Sequence, residues 1–254
     1  MKILVDHTLT SYASPAIYSG FEAYQHNSQA ISTFDTFDKV NPDLYIADSE
    51  LLTDATLKNI SERPSMQVCV MIKNHGDNTK KYQEKFKEYF GDIYQWFSHY
   101  DFADILEFRN SEYNEKYKSD VVCIDDNPSN DIIETVIPEK YIYRIISPNF
   151  VKHNNYCGAA RPQIKKDILK SSKICLTSGE NFYNALLCDC YPIIPKNIDD
   201  VLNQINKNHT KEIKEAKETV YDSHTNFHAL YNILLYANRD SEAKIVKEKL
   251  KELL

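Results

Sequence analysis

Ser178, Gly179, Glu180 and Asn181 form a polar turn between two apolar patterns. Ile174, Cys175 and Leu176 precede the turn, and Phe182, Ala185 and Leu186 follow it at helical spacing, before a second apolar run at 191–194. The order is strand, tight turn, helix, strand, which is a βαβ unit. Ligands of such units gather at the carboxyl ends of the strands. A turn that opens a helix leaves backbone N–H groups unpaired and facing outward, and these favour an anion, commonly a phosphate. Phosphate binding is therefore the chemistry expected at residues 178–181. Plain helix capping uses the same residue types, because a Ser cap and a first-turn Glu stabilise a helix without any ligand.

Several other chemistries lack their residues. The chain has 5 glycines, no GxGxxG and no GxxxxGK[ST]. That argues against classical dinucleotide enzymes and P-loop NTPases. HExxH is absent, and Cys188 and Cys190 stand too close for an ordinary zinc pair, with no second pair to complement them. No metal site and no cofactor are expected.

The elements that must position the turn are legible from periodicity. Strands are expected at 2–5, 29–32, 44–47, 67–72 and 93–98, with helices at about 14–26, 52–60, 80–90 and 102–108. Residues 110–119 are polar, without a strong period, and read as a linker. A second alternation follows: strands at 121–124, 140–146 and, very short, 155–158, a helix at 130–136, another at 162–170 with Pro162 in its first turn, and then the βαβ unit. The tail is helical, with Ile198, Val201, Leu202 and Ile205 beginning a series of amphipathic stretches. The fold class expected is α/β, with two Rossmann-like parallel-sheet domains at 1–115 and 116–254 and a helical C-terminal tail.

Composition bounds the setting. The 254 residues are 42% hydrophobic, enough for a core, and the apolar runs are strand-sized, too short to span a membrane. The first residues, MKILVDHTLT, read as a strand and are too short for a signal peptide. The 6 cysteines lie mostly in apolar runs and read as buried thiols in a reducing cytosol. A net charge of -7 argues against broad nonspecific DNA binding, though not against a local basic groove. Richness in Lys, Asn, Ile and Tyr suggests an AT-rich genome, such as that of a phage or a low-GC bacterium.

The second half resembles the glycosyltransferases of the GT-B fold, in particular compact family-1-like and spore-maturation-like bacterial and phage members. The residues that carry the resemblance run from Ser178-Gly179-Glu180-Asn181 through Asn184-Ala185-Leu186-Leu187-Cys188 to Asp189-Cys190-Tyr191-Pro192. In that family a late strand ends in Ser or Asn, and an acidic helix residue and an Ala-Leu-x-Cys-Gly-x-Pro run follow. The approach from Asn155-Tyr156-Cys157-Gly158 and the closing stretch HTNFHALYNILLYA are similar as well. The resemblance covers about 121–237 and is schematic over 1–119. Asn184 stands where the family usually has a ribose-binding Glu, and Asp189 where it has Gly.

The resemblance implies sugar transfer from a nucleotide-sugar donor to an acceptor, with the donor in the second domain, the acceptor in the first and the reaction in the cleft between them. It implies that residues 178–181 hold the diphosphate, with positive charge from Arg161 or Lys165; Arg161 suits bidentate phosphate contact. Glu180 or Asn184 would grip the ribose. At the end of the first strand Asp6 and His7 are the catalytic candidates, His7 as a base because an unperturbed histidine side chain titrates near neutrality; His75 and His99 also follow apolar strands. The Asp-x-Asp metal signal of the GT-A class is missing, since Asp125 and Asp126 are adjacent. Asp125 to Pro128 follow a strand and either face the cleft or form an ordinary turn. The acceptor is a saccharide or a protein or, for a phage enzyme in its host's cytoplasm, a modified DNA base. The alternative is a non-catalytic binding module that retains the fold and a nucleotide or sugar-nucleotide pocket.

Overall fold

A computed structural model describes residues 3–6, 28–31, 41–48, 53–63, 65–72, 84–85, 87–89, 95–98, 102–125, 128, 137–177 and 181–254. The chain is α/β. Its strands are β1 (Ile3–Asp6), β2 (Ser28–Ile31), β3 (Leu44–Asp48), β4 (Gln67–Ile72), β5 (Gln95–Ser98), β6 (Ser119–Ile124), β7 (Tyr143–Ile146), β8 (Ser172–Leu176) and β9 (Tyr191–Ile193). The helices are α1 (Asp54–Ser61), α2 (Ile105–Phe108), α3 (Pro162–Lys170), α4 (Phe182–Leu187), α5 (Ile198–Ile205), α6 (Thr210–Ser223), α7 (Asn226–Tyr236) and α8 (Asp240–Leu253). The chain divides into two compact units, Met1–Tyr100 with Asn226–Leu254, and Asp101–Thr225.

The first unit holds a parallel sheet in the order β2-β1-β3-β4-β5. Leu44 and Ile46 of β3 are buried, as are Leu57 and Ile60 of α1, three residues apart on one helix face. α7 and α8 pack on each other in the same unit, burying Phe227, Leu230, Leu234, Ala243 and Val246.

The second unit holds a parallel sheet in the order β7-β6-β8-β9. The free edge of β7 is extended by one residue, Tyr156, in parallel pairing with Ile145. Ile145 N–H donates to the Asn155 carbonyl at 2.8 Å, and Cys157 N–H donates to the Ile145 carbonyl at 2.8 Å. With Tyr156 counted as a strand, the spatial order in chain terms is 3-2-1-4-5, and it reverses between β6 and β8. Both faces of β6 are covered. Val121 and Cys123 pack with Tyr143, Ile145, Ile174 and Leu176 against Val201 and Ile205 of α5, while Val122 and Ile124 are buried on the other face. A strand buried on both faces reads as a continuous apolar run instead of an alternating one, as 121–124 does.

α3 begins at Pro162, where the missing N–H costs nothing and the fixed φ suits a first turn. α4 stops at a left-handed residue, Asp189, with φ 60°. Glycine favours that conformation, and Asp tolerates it better than most residues. The Asp189 carboxylate pairs with Lys170 and Lys217. Burial pushes this carboxyl up, but the hydrogen bonds from the two lysines outweigh burial and hold it below its usual range. Asp189→Gly and Asp189→Ala lose the same ion pairs and differ only in backbone freedom. The alanine variant should therefore be less stable than the glycine variant by about 1 kcal/mol in urea unfolding. Equal midpoints would mean that φ relaxes at this position.

Among the described residues no helix is long and apolar enough to cross a membrane. Cys69, Cys123, Cys175, Cys188 and Cys190 are buried free thiols, and Cys157 is exposed. Burial pushes Cys69, Cys175 and Cys188 up to about 12, so these thiols stay protonated at neutral pH.

Candidate functional site

The βαβ unit read at 174–194 is β8, α4 and β9 in the structure. Thr177 follows β8, fully buried, and its N–H donates to the Ile193 carbonyl at 3.0 Å. Asn181, 6% exposed, precedes α4. Its side-chain amide donates to the Ile124 carbonyl, the last of β6, at 2.6 Å. The start of α4 is thus fixed beside the carboxyl end of β6, where the strand order reverses, and the end of β8 is tied to β9. In open parallel sheets that reversal is where ligands bind. Asp125, directly after β6, is buried, and its N–H donates to the Ile146 carbonyl at 3.2 Å.

Asn184 is fully buried one turn further on. Its Oδ1 accepts from the Asp104 N–H at 3.0 Å, and its Nδ2 donates to Asn181 Oδ1 at 3.4 Å. Asn184 therefore spends its amide inside the unit, joining α4 to the start of α2. Of the two ribose candidates, Asn184 is thus committed to contacts within the unit, and Glu180 lies outside the described residues. Asp104 is the N-cap of α2 and accepts from the N–H groups of Leu106 at 3.0 Å and Glu107 at 3.2 Å. Burial pushes its carboxyl up to about 7, with the Glu107 charge adding to the rise and the two N–H donors opposing it.

Lys165 lies on α3 near Glu107; burial raises the Glu107 carboxyl, and the charges of Lys165 and Lys166 oppose that rise. Arg161 is exposed at the N-cap position of α3 and makes no capping bond with its side chain. It lines a pocket of about 350 Å³ with Arg144, Ile146, Cys157, Gly158, Ile164 and Ile168, all in the second unit. Neither Asn181 nor Asn184 is among the described lining residues. Asp6 is the last residue of β1. His7, His75, His99, Asp126, Asn127, Ser178, Gly179 and Glu180 lie outside the described residues. Among the described residues no group of three His, Cys, Asp or Glu side chains could hold a metal ion.

Asp104 and Arg144 are not among the residues that the sequence singles out. Asp104 carried a signal, an Asp with Glu107 three residues later ahead of an apolar turn, which is a capping-box pattern. Arg144 carried none, since a lone Arg in an edge strand is ordinary. No protein-family model, no curated protein and no solved structure matches the chain.

Proposed function

We propose that the chain is a glycosyltransferase of the GT-B type, with two Rossmann-like halves, moving a sugar from a nucleotide-sugar donor to an acceptor. One observation carries the donor half of this reading. The strand order of the 101–225 unit reverses between β6 and β8, and Asn181 ties the start of α4 to the last carbonyl of β6. A nucleotide binds outside such a reversal in parallel α/β sheets. The reaction class comes from the resemblance over 121–237.

In this reading the diphosphate rests on residues 178–181, whose backbone amides and Ser178 hydroxyl stabilise the leaving group as its charge grows. Glu180 holds the ribose. His7 takes the proton of the acceptor, with Asp6 beside it in sequence. No metal takes part, and activity that disappears with a chelator and returns with Mg²⁺ or Mn²⁺ contradicts that part. A second reading has one observation in its favour: Asn184, at the family's ribose position, is used up inside the fold. A binding module that kept the nucleotide pocket without transfer accounts for this too.

Thermal unfolding against a panel of nucleoside diphosphates and their sugars tests the donor site. At a hundredfold excess over Kd the bound nucleotide stabilises by about 2.7 kcal/mol, a rise in the midpoint of about 5–10 °C for a chain of this size. The rise should favour one base and shrink in Glu180→Ala. No rise with any member of the panel would remove the donor site.

A further inference from the structure

We propose that the pocket between β7 and α3 is an anion site for a small organic phosphate monoester. The inference goes beyond the proposed function and does not rest on it. The pocket, of about 350 Å³, falls within the size range of small-molecule sites. Its floor is aliphatic, formed by Ile146, Ile164 and Ile168, and its charged lining consists of Arg144 and Arg161 with no carboxylate among the described lining residues. In a chain of net charge -7, a doubly positive pocket is a local exception.

Among the described residues the two arginines are engaged only in part. Nη2 of Arg144 donates to the Lys116 carbonyl at 3.3 Å, but its Nε is buried with no hydrogen-bond partner. Among the described residues neither arginine pairs with a carboxylate. Arg161, exposed at the lining, has guanidinium donors that a ligand oxygen can take up. Guanidinium forks match phosphate oxygens, and two of them match the charge of a phosphate monoester, close to -2 at neutral pH. Gly158 turns the chain at the rim with φ 85°, and a Cβ there would meet nothing within 4 Å, so backbone conformation is what calls for glycine. The aliphatic floor requires an apolar body on the ester.

Cys157, on the pocket lining, is the one exposed cysteine of the six and serves as the reporter. The whole native chain is labelled with neutral iodoacetamide, and the rate at Cys157 is read by mass spectrometry. Phenyl phosphate at ten times its Kd should slow that rate about tenfold by mass action. Benzyl alcohol, with the same apolar body and no charge, should leave it unchanged. Arg161→Gln, at an exposed position, should weaken the phenyl phosphate effect about tenfold or more by removing charge-assisted hydrogen bonds. Arg144→Gln should do the same. No protection by phenyl phosphate, equal protection by benzyl alcohol, or undiminished protection in both variants would overturn the proposal. Protection by the nucleotide sugar that raises the thermal midpoint would make this pocket the donor site and overturn the monoester assignment. Absence of nucleotide-sugar binding would leave the expected labelling unchanged, so the two readings fail independently.

Discussion

Replacing Asn184 with leucine should lower the stability of the chain by about 2–4 kcal/mol, because two buried groups lose their partner at once. The Asp104 N–H, which donates to Asn184 Oδ1 at 3.0 Å, loses that acceptor. Asn181 Oδ1 loses the donor at 3.4 Å. Leucine keeps the branching of Asn at Cγ and leaves no cavity, so the loss reports chiefly the hydrogen bonds. Asn181→Ala should cost about 1–2 kcal/mol by removing the hydrogen bond to the Ile124 carbonyl. Because the two asparagines are bonded to each other, the double variant should lose less than the sum of the single losses. Urea unfolding of the four proteins checks this. A change below about 0.5 kcal/mol for Asn184→Leu, the scale of an ordinary surface substitution, would show that α4 is not held in place by this network.

The second large effect is a pH dependence centred on Asp104. Burial raises its folded pKa to about 7, whereas an unfolded Asp titrates near 3.9. Between those values the folded state keeps a proton that the unfolded state has released. Stability from this group is therefore full below about pH 4, falls as pH rises, and levels off above about pH 7. The gap between the folded and unfolded values is worth at most about 4 kcal/mol. Asn caps a helix as well as Asp does and carries no titrating proton. Asp104→Asn should match the parent near pH 4 and exceed it at pH 8 by about 2 kcal/mol. Parallel stability curves for the two proteins from pH 4 to 8 would contradict the buried-acid account.

Local pattern revealed most of the elements. Residues 67–72 and 162–170 were readable to the residue, the first from an apolar β-branched run and the second from Pro162 and helical spacing. Residues 155–158 were readable as a minimal strand, and the structure shows why they matter: Tyr156 extends the edge of β7 and makes the strand order 3-2-1-4-5. Asp189 holds a left-handed backbone at the end of α4, a conformation that the helical spacing around it does not announce. What stayed hidden depends on contacts far apart in sequence. Asp104 and Asn184 meet across 80 residues, and no spacing rule joins them. Arg144 sits inside a run read only as an apolar strand, and its value lies in its neighbours Arg161 and Gly158 across the pocket. Amphipathic spacing in the tail announced helices, yet it carries no label for the sheet that each helix covers. Contact assigns α5 and α6 to the second unit and α7 and α8 to the first.

The most direct test of the proposed function is release of nucleoside diphosphate from nucleotide sugars incubated with the purified chain. Transferases leak slowly to water, so one donor should yield free nucleoside diphosphate and free sugar without any acceptor, and Glu180→Ala should abolish the release. Tight binding of a nucleotide sugar with no turnover, in the presence or absence of acceptors, would contradict transfer and leave a binding module.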